Sequence, residues 1–233
     1  MSTVTPLNPK QRVAASAAEM VENGMIVGLG TGSTANLFID ALASRSREEE
    51  LQLRVVASSV ISHNRAMQAG LSVMSINQLT GLDLYVDGAD EVAPDLSLLK
   101  GRGQDLVREK ILAHHADQFV VLVDESKLVK AIGDTHPIPI EVNPDSWQLV
   151  QTALQQVGGH GELRLNAAGD NVFFSAAGSM VLDMRFTDIS CKNLDQLLSS
   201  LPGVVEHGVF YQLASDVLIG RADGVERLIA DKM

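Results

Sequence analysis

Three short stretches of the chain combine residue types that could handle a small phosphorylated substrate. Gly28-Leu29-Gly30-Thr31-Gly32-Ser33-Thr34 joins glycines, whose N–H groups can turn inward, to hydroxyls that add donors. Between a strand and a helix such a loop also gains the partial positive charge of the helix N-terminus and can cradle a phosphate. It is neither G-x-G-x-x-G nor the Gly-Lys-Ser/Thr loop of a nucleotide site, and the following strand ends in Ser58-Ser59 rather than the acid a ribose would need. The plainer reading is a tight turn capped by Thr31 or Ser33.

Asp87-Gly88-Ala89-Asp90-Glu91 directly follows the apolar run Leu82–Val86. Ligands of open parallel sheets bind at such strand ends, and two carboxylates three residues apart around a glycine can face one crevice. Clustered acids suit proton transfer. The competing readings are a helix N-cap and a divalent metal site, and the Lys/Gly segment that follows fits poorly with further oxygen ligands. In that segment, Lys100-Gly101-Arg102-Gly103, a lysine beside glycines can neutralise a developing oxyanion. Arg108-Glu109-Lys110 then enters a helix, where Glu109 could project toward the same crevice. Taken alone, Glu109 reads as a surface acid paired with Arg108 or Lys110.

The remaining reactive side chains point away from chemistry. His114 and His115 are adjacent, so on a helix they cannot form an i, i+4 metal pair. His63, His136, His160 and His207 are scattered, and all six histidines read as structural or exposed. A catalytic thiolate is not expected at Cys191, and Met67 and Met74 read as core fillers. No metal and no cofactor is expected.

To position these motifs the chain needs strands alternating with helices. The pattern predicts helices over Lys10–Asn23, Thr34–Ala43, Ser59–Ala69 and Val107–Ala116. Strands are predicted over Met25–Leu29, Leu53–Ala57, Leu71–Ile76, Leu82–Val86 and Phe119–Val123. That order predicts an α/β fold: an open, mostly parallel, doubly wound sheet domain. After Gly133 the pattern changes. His136–Val142, with two prolines, reads as an extended edge or linker. Helix Ser146–Val157, strands Leu163–Asn166, Val172–Ser175 and Met180–Phe186, helix Asn193–Ser200 and strand Val204–Phe210 follow. A β-α-β-β-α-β order of this kind suggests a smaller α+β domain of the ferredoxin-like type. Asp216–Ile219 again resembles the first domain's strands, so residues 1–133 and 208–233 are expected to form the α/β domain, with residues 134–207 inserted. The charge run Ser46–Glu50 reads as a solvated loop or helix end.

Composition narrows the partners. Among 233 residues, 18 Lys and Arg stand against 29 Asp and Glu, a formal charge of −11. That balance argues against nucleic acid or an anionic membrane as a partner, and leaves a small anionic substrate open. A hydrophobic fraction of 45% with 20% charged residues is that of a globular chain. The single cysteine fits a reducing compartment, Met1–Lys10 lacks the apolar core of a signal peptide, and no apolar run approaches a membrane span. A cytoplasmic location is the expectation.

Taken in order, Ile26–Thr34, Tyr85–Glu91, Leu99–Gly103 and Arg108–Ile111 resemble type A ribose-5-phosphate isomerases. Asp124-Glu125-Ser126-Lys127, Pro137–Val142, Leu201–Gly208 and Asp216–Gly220 extend the likeness over nearly the whole chain. The resemblance implies an aldose–ketose isomerase of the pentose phosphate pathway that interconverts D-ribose 5-phosphate and D-ribulose 5-phosphate, without metal or nucleotide, as a homodimer or homotetramer. It implies that Thr31, Gly32, Ser33 and Thr34 line the phosphate site with Lys127 and Lys10. Gly101, Arg102 and Gly103 would also contact substrate, Asp87, Asp90 and Lys100 would hold the reacting end, and Glu109 would be the base. Two segments depart from the family pattern: Gln104-Asp105, where small residues are commoner, and Ser175–Ser179, in place of an Asp-Asn-Gly-Asn turn. Alternatives are another sugar-phosphate isomerase or deaminase of the same fold, or a non-catalytic sugar-phosphate sensor. A deaminase would need an acid–histidine arrangement absent near these motifs, and a sensor a DNA-binding module for which about two dozen residues ahead of the first strand are too few.

Overall fold

A computed structural model describes residues 7–230; of the polar start Met1–Lys10, Met1–Pro6 lies outside the described residues. The elements in chain order are α1 (Pro9–Glu19), β1 (Ile26–Leu29), α2 (Ser33–Glu48), β2 (Arg54–Ala57), α3 (Val60–Gln68), β3 (Leu82–Gly88), β4 (Glu91–Val92) and β5 (Leu98–Leu99). There follow α4 (Leu106–His115), β6 (Ala116–Asp124), β7 (Ile138–Val142), α5 (Trp147–Gln156), β8 (His160–Leu163) and β9 (Met180–Arg185). The chain ends with α6 (Cys191–Ser200), β10 (Val204–His207), β11 (Val209–Phe210), β12 (Asp216–Gly220) and β13 (Val225–Ile229). They form two compact units. The first comprises the chain up to Ala89, Leu112–Lys127 and the stretch from Ala214; the second comprises Asp90–Ile111 and Leu128–Leu213. No helix among the described residues is long and apolar enough to cross a membrane.

The first unit is built on a six-stranded sheet in the order β13-β12-β6-β3-β1-β2. All neighbours run parallel except β13, which pairs antiparallel with β12. Its central strands are continuous apolar runs, as strands covered on both faces must be. Helix α1 presents Val13, Ala14, Ala17 and Ala18 on one stripe, and α2 presents Phe38, Ile39 and Leu42 to the same core. The predicted end of α3 holds: Ser59 caps it by accepting from Ser62 N, and Gly70 follows at φ +86°.

In the second unit the four-stranded sheet has the order β10-β7-β9-β8, antiparallel throughout. Numbered along the chain these strands read 4-1-3-2, with α5 and α6 as the two connections, which is the ferredoxin-like arrangement. Val150 and Leu154 of α5 and Leu194 and Leu198 of α6 pack with Ile140, Val142, Leu182 and Met184. A separate three-stranded sheet, β11-β5-β4, carries Lys100 directly after β5.

Several predicted strands differ from what forms. His136–Val142 is neither an edge nor a linker, because β7 lies inside its sheet, paired on both sides. Pro139 is tolerated there because its carbonyl accepts from Gly208 N at 2.8 Å where β10 has ended, so its missing N–H falls beyond that ladder. Val204–Phe210 breaks at Gly208 into strands of two different sheets, since a Cβ at Gly208 would lie 2.3 Å from the Lys100 carbonyl. Leu71–Ile76 makes only the Val73–Val55 bridge; Leu163 ends β8, and beyond it Leu165–Val172 and Phe174–Met180 are isolated bridges. The charge run Ser46–Glu50 overlaps the end of α2, which continues to Glu48 and is closed by an Arg45–Glu49 ion pair at 2.8 Å.

Candidate active site

The glycine loop of the first unit is shaped by Asp87, the acid near the C-terminal end of β3. Gly30 N donates to Val86 O at 2.9 Å, and Thr31 N donates to Asp87 Oδ1 at 3.0 Å. A Cβ on Gly30 would lie 2.0 Å from that carboxylate oxygen, so only glycine lets β1 and β3 approach this closely. Asp87 is fully buried and also accepts from Gly88 N at 2.7 Å and from the Tyr85 hydroxyl at 2.6 Å. Its oxygens are therefore fixed on two sides.

Neither Thr31 nor Ser33 caps α2. The cap position is Gly32, at φ +112°, with no side-chain cap bond. The Thr31 hydroxyl turns instead to Ser58 Oγ at 2.9 Å and Ser62 Oγ at 3.3 Å. The first turn of α2 contains no acid, and Lys10 Nζ donates to Ser33 Oγ at 3.1 Å. Asp124, at the end of β6, has its carboxyl held below the usual range by the Ser126 hydroxyl, then by the Ser126 N–H and the positive charges of Lys10 and Lys127. Glycine N–H groups, hydroxyls, a helix N-terminus and two lysines make this end of the sheet suited to a phosphate.

In the second unit Glu109, in the first turn of α4, points not to Arg108 or Lys110 but to Lys100, with Oε2 3.2 Å from Nζ. Both side chains are buried, at 9% and 5% exposure. A buried ion pair costs several kcal/mol to desolvate, so it contributes little to stability and calls for another reason. Chemically it places a carboxylate that can take a proton beside an ammonium that can stabilise an oxyanion. Lys110 is engaged elsewhere, donating to Glu206 Oε1 and to His207 O, both at 2.7 Å. Asp90 is half-buried and its N–H donates to Leu99 O at 2.8 Å. Glu91 is structural: its buried carboxylate accepts from the N–H groups of Gly133, Thr135 and His136 and from the Thr135 hydroxyl.

Gly101 sits at φ +91° with its Cα against Leu106, and the exposed Arg102 meets His136 Nε2 at 3.2 Å. The two segments that depart from the family pattern touch one another, Ala176 N donating to Gln104 O at 2.8 Å. Among the described residues no group of three or more His, Cys, Asp or Glu could hold a metal ion. Burial pushes the Cys191 thiol up, away from the thiolate.

Comparison with known proteins settles the family. The model of ribose 5-phosphate isomerase A (phosphoriboisomerase A) matches residues 54–224. The ribose-5-phosphate isomerase A of Thermococcus kodakarensis is 40% identical over 221 residues, covering 94% of this chain and 96% of that one. The chain belongs to the ribose 5-phosphate isomerase A family. The Thermosynechococcus vestitus member is 42% identical over 213 residues, 91% of this chain and 90% of its own. The Methanocaldococcus jannaschii isomerase structure superposes with a TM-score of 0.90 at 39% identity, over 95% of this chain and 98% of that one. A D-ribose-5-phosphate isomerase in complex with phospho-erythronic acid superposes at 0.91 with 35% identity, over 95% and 97%.

Within this isomerase fold, sequence reasoning missed the Tyr85 hydroxyl on Asp87, the Ser58 and Ser62 hydroxyls on Thr31, and the anchoring role of Glu91. Only the Ser58-Ser59 pair gave a signal, as a strand end without an acid. His207 was read as structural, and it is buried at 1% exposure, 3.0 Å from Ser199 Oγ. Burial, and then the Lys110 ammonium, push its imidazole down to about 3, while Asp195 lies 3.8 Å away. The folded value lies below the unfolded one near 6.5, so the unfolded chain takes up the proton first and stability falls as pH drops below about 6.5. At a slope of about 1.4 kcal/mol per pH unit, the cost reaches about 2 kcal/mol by about pH 5. Urea unfolding near neutrality and near pH 5 should therefore show a smaller acid loss for His207→Gln than for the native chain; equal losses would remove His207 from the account.

Proposed function

We propose that the protein interconverts D-ribose 5-phosphate and D-ribulose 5-phosphate through a cis-enediol(ate). The buried Lys100–Glu109 pair carries this reading, because proton transfer between C2 and C1 needs a base and a partner for the growing oxyanion in one place. Family membership supports the substrate. Glu109 takes the C2 proton of the open-chain aldose, and the electron pair moves through C1 onto the carbonyl oxygen, which Lys100 stabilises and which gains a proton. The enediol then loses its O2 proton, the carbonyl forms at C2, and Glu109 returns a proton to C1. Asp87, with Asp90 beside it in sequence, assists ring opening and holds the sugar hydroxyls. Gly101, Arg102 and Gly103 contact the same sugar.

Thr31, Gly32, Ser33 and Thr34 bind the phosphate with Lys127 and Lys10, and that remote binding energy orients the reacting carbons. Accordingly Lys127→Ala should raise KM for ribose 5-phosphate about tenfold or more with a smaller change in kcat. An unchanged KM would make Lys127 a surface charge. The protein is read as a cytoplasmic homodimer or homotetramer, which light scattering of the purified chain distinguishes. The deciding assay is incubation with ribose 5-phosphate in excess chelator, following ketose formation: turnover is expected, and its absence refutes the isomerase reading.

A further inference from the structure

The guanidinium of Arg164 holds a loop. Arg164 directly follows β8, and its Nε and Nη2 donate to Asp183 Oδ2 and Oδ1 at 2.9 and 2.7 Å in a two-point pair. Its Nη1 lies 3.2, 3.2 and 3.1 Å from the carbonyl oxygens of Gly101, Arg102 and Gly103. The next carbonyl, of Gln104, accepts from Ala176 N, and the turn carrying Ala176 is pinned by Ser175 Oγ on the buried Glu141 at 2.7 Å. Four successive carbonyls after Lys100 are thus fastened within the second unit.

Three carbonyl dipoles aimed at one point repel each other, and a cation with several donors is what makes the arrangement stable. A trans peptide sets each C=O opposite the following N–H. The N–H groups of Arg102, Gly103 and Gln104 are therefore turned away from Arg164, as a short row of donors on the other face of the loop. A lysine could not fork to Asp183 and reach all three carbonyls at once.

We propose that Arg164, held by Asp183, is a positioning residue for the isomerase reaction: it sets the loop after Lys100 so that this row of N–H groups meets oxygens of the sugar phosphate. The inference rests on the isomerase reading. Arg164→Lys should lower kcat/KM for ribose 5-phosphate by about 10- to 100-fold, the scale of a small misplacement at a reacting centre. Asp183→Asn should move it in the same direction by less. Millimolar methylguanidinium should restore activity several-fold to Arg164→Ala while leaving the native protein unchanged, an effect general loss of stability would not produce. If the alanine variant fails to fold, the lysine and asparagine variants carry the test. An inactive native protein would remove the isomerase reading itself. An active native protein with Arg164→Lys and Asp183→Asn both within about twofold of its kcat/KM would overturn only the role of Arg164, as would a folded, impaired Arg164→Ala that methylguanidinium does not rescue.

Discussion

Glu109→Gln should fold and bind ribose 5-phosphate, yet turn over about 10²- to 10⁴-fold more slowly, the usual contribution of a positioned acid–base group. The amide has nearly the shape of the carboxylate, and its oxygen can still accept from Lys100 Nζ, which now lies 3.2 Å from Glu109 Oε2. What it cannot do is take a proton from carbon. The loss should therefore appear in kcat, with KM changed little, because the interaction removed is one made in the transition state. Single-turnover measurements at saturating substrate separate chemistry from product release. A kcat within about tenfold of the native value would move the base to another residue.

Lys100→Met should show two effects at once. On the proposed mechanism, removing the ammonium takes away the stabiliser of the enediolate, worth about 10²- to 10³-fold in kcat on the scale of a lost oxyanion donor. It also leaves Glu109, at 7% exposure, without that cation, and breaking a buried pair from one side costs about 3 kcal/mol. The double variant Lys100→Met with Glu109→Gln should regain part of the stability, since no unmatched carboxylate remains, and regain none of the activity. That separation distinguishes a pair kept for chemistry from one kept for folding. Denaturant midpoints and kcat measured on all four proteins give the cycle. A single variant as stable as the native chain, with kcat within about tenfold of it, would contradict the pairing.

Much of this arrangement was legible in the residues themselves. The apolar runs Met25–Leu29, Leu82–Val86 and Phe119–Val123, followed by Gly30, Asp87 and Asp124, mark strands covered on both faces, and ligands of such sheets bind at strand ends. Local signals also served the helices, as Ser59 and Gly70 do for α3. What stayed hidden depends on contacts between distant segments. Nothing near Glu109 singles out Lys100 over Arg108 or Lys110 as its partner, because the choice is made by how α4 lies beside the three-stranded sheet. Glu91 belongs to an acidic motif by sequence, yet four donors from residues 133–136 make it an anchor. Pro139 argues against an inner strand by rule, and only the early end of β10 admits it. Arg164 carries no local signature at all, since the carbonyls it holds lie about sixty residues earlier and Asp183 lies 19 residues later. Gly208 shows the same limit in reverse: the single predicted strand Val204–Phe210 is shared between two sheets, and at the break only glycine fits against the Lys100 carbonyl.

The most direct test of the central claim, proton transfer through an enediol(ate) at Glu109, is incubation of ribose 5-phosphate with the native protein in deuterium oxide containing excess chelator, followed by nuclear magnetic resonance. The account predicts ribulose 5-phosphate carrying deuterium at C1, formed by the native protein and lost with Glu109→Gln. No ketose, or ketose formed as fast by Glu109→Gln as by the native protein, would contradict it.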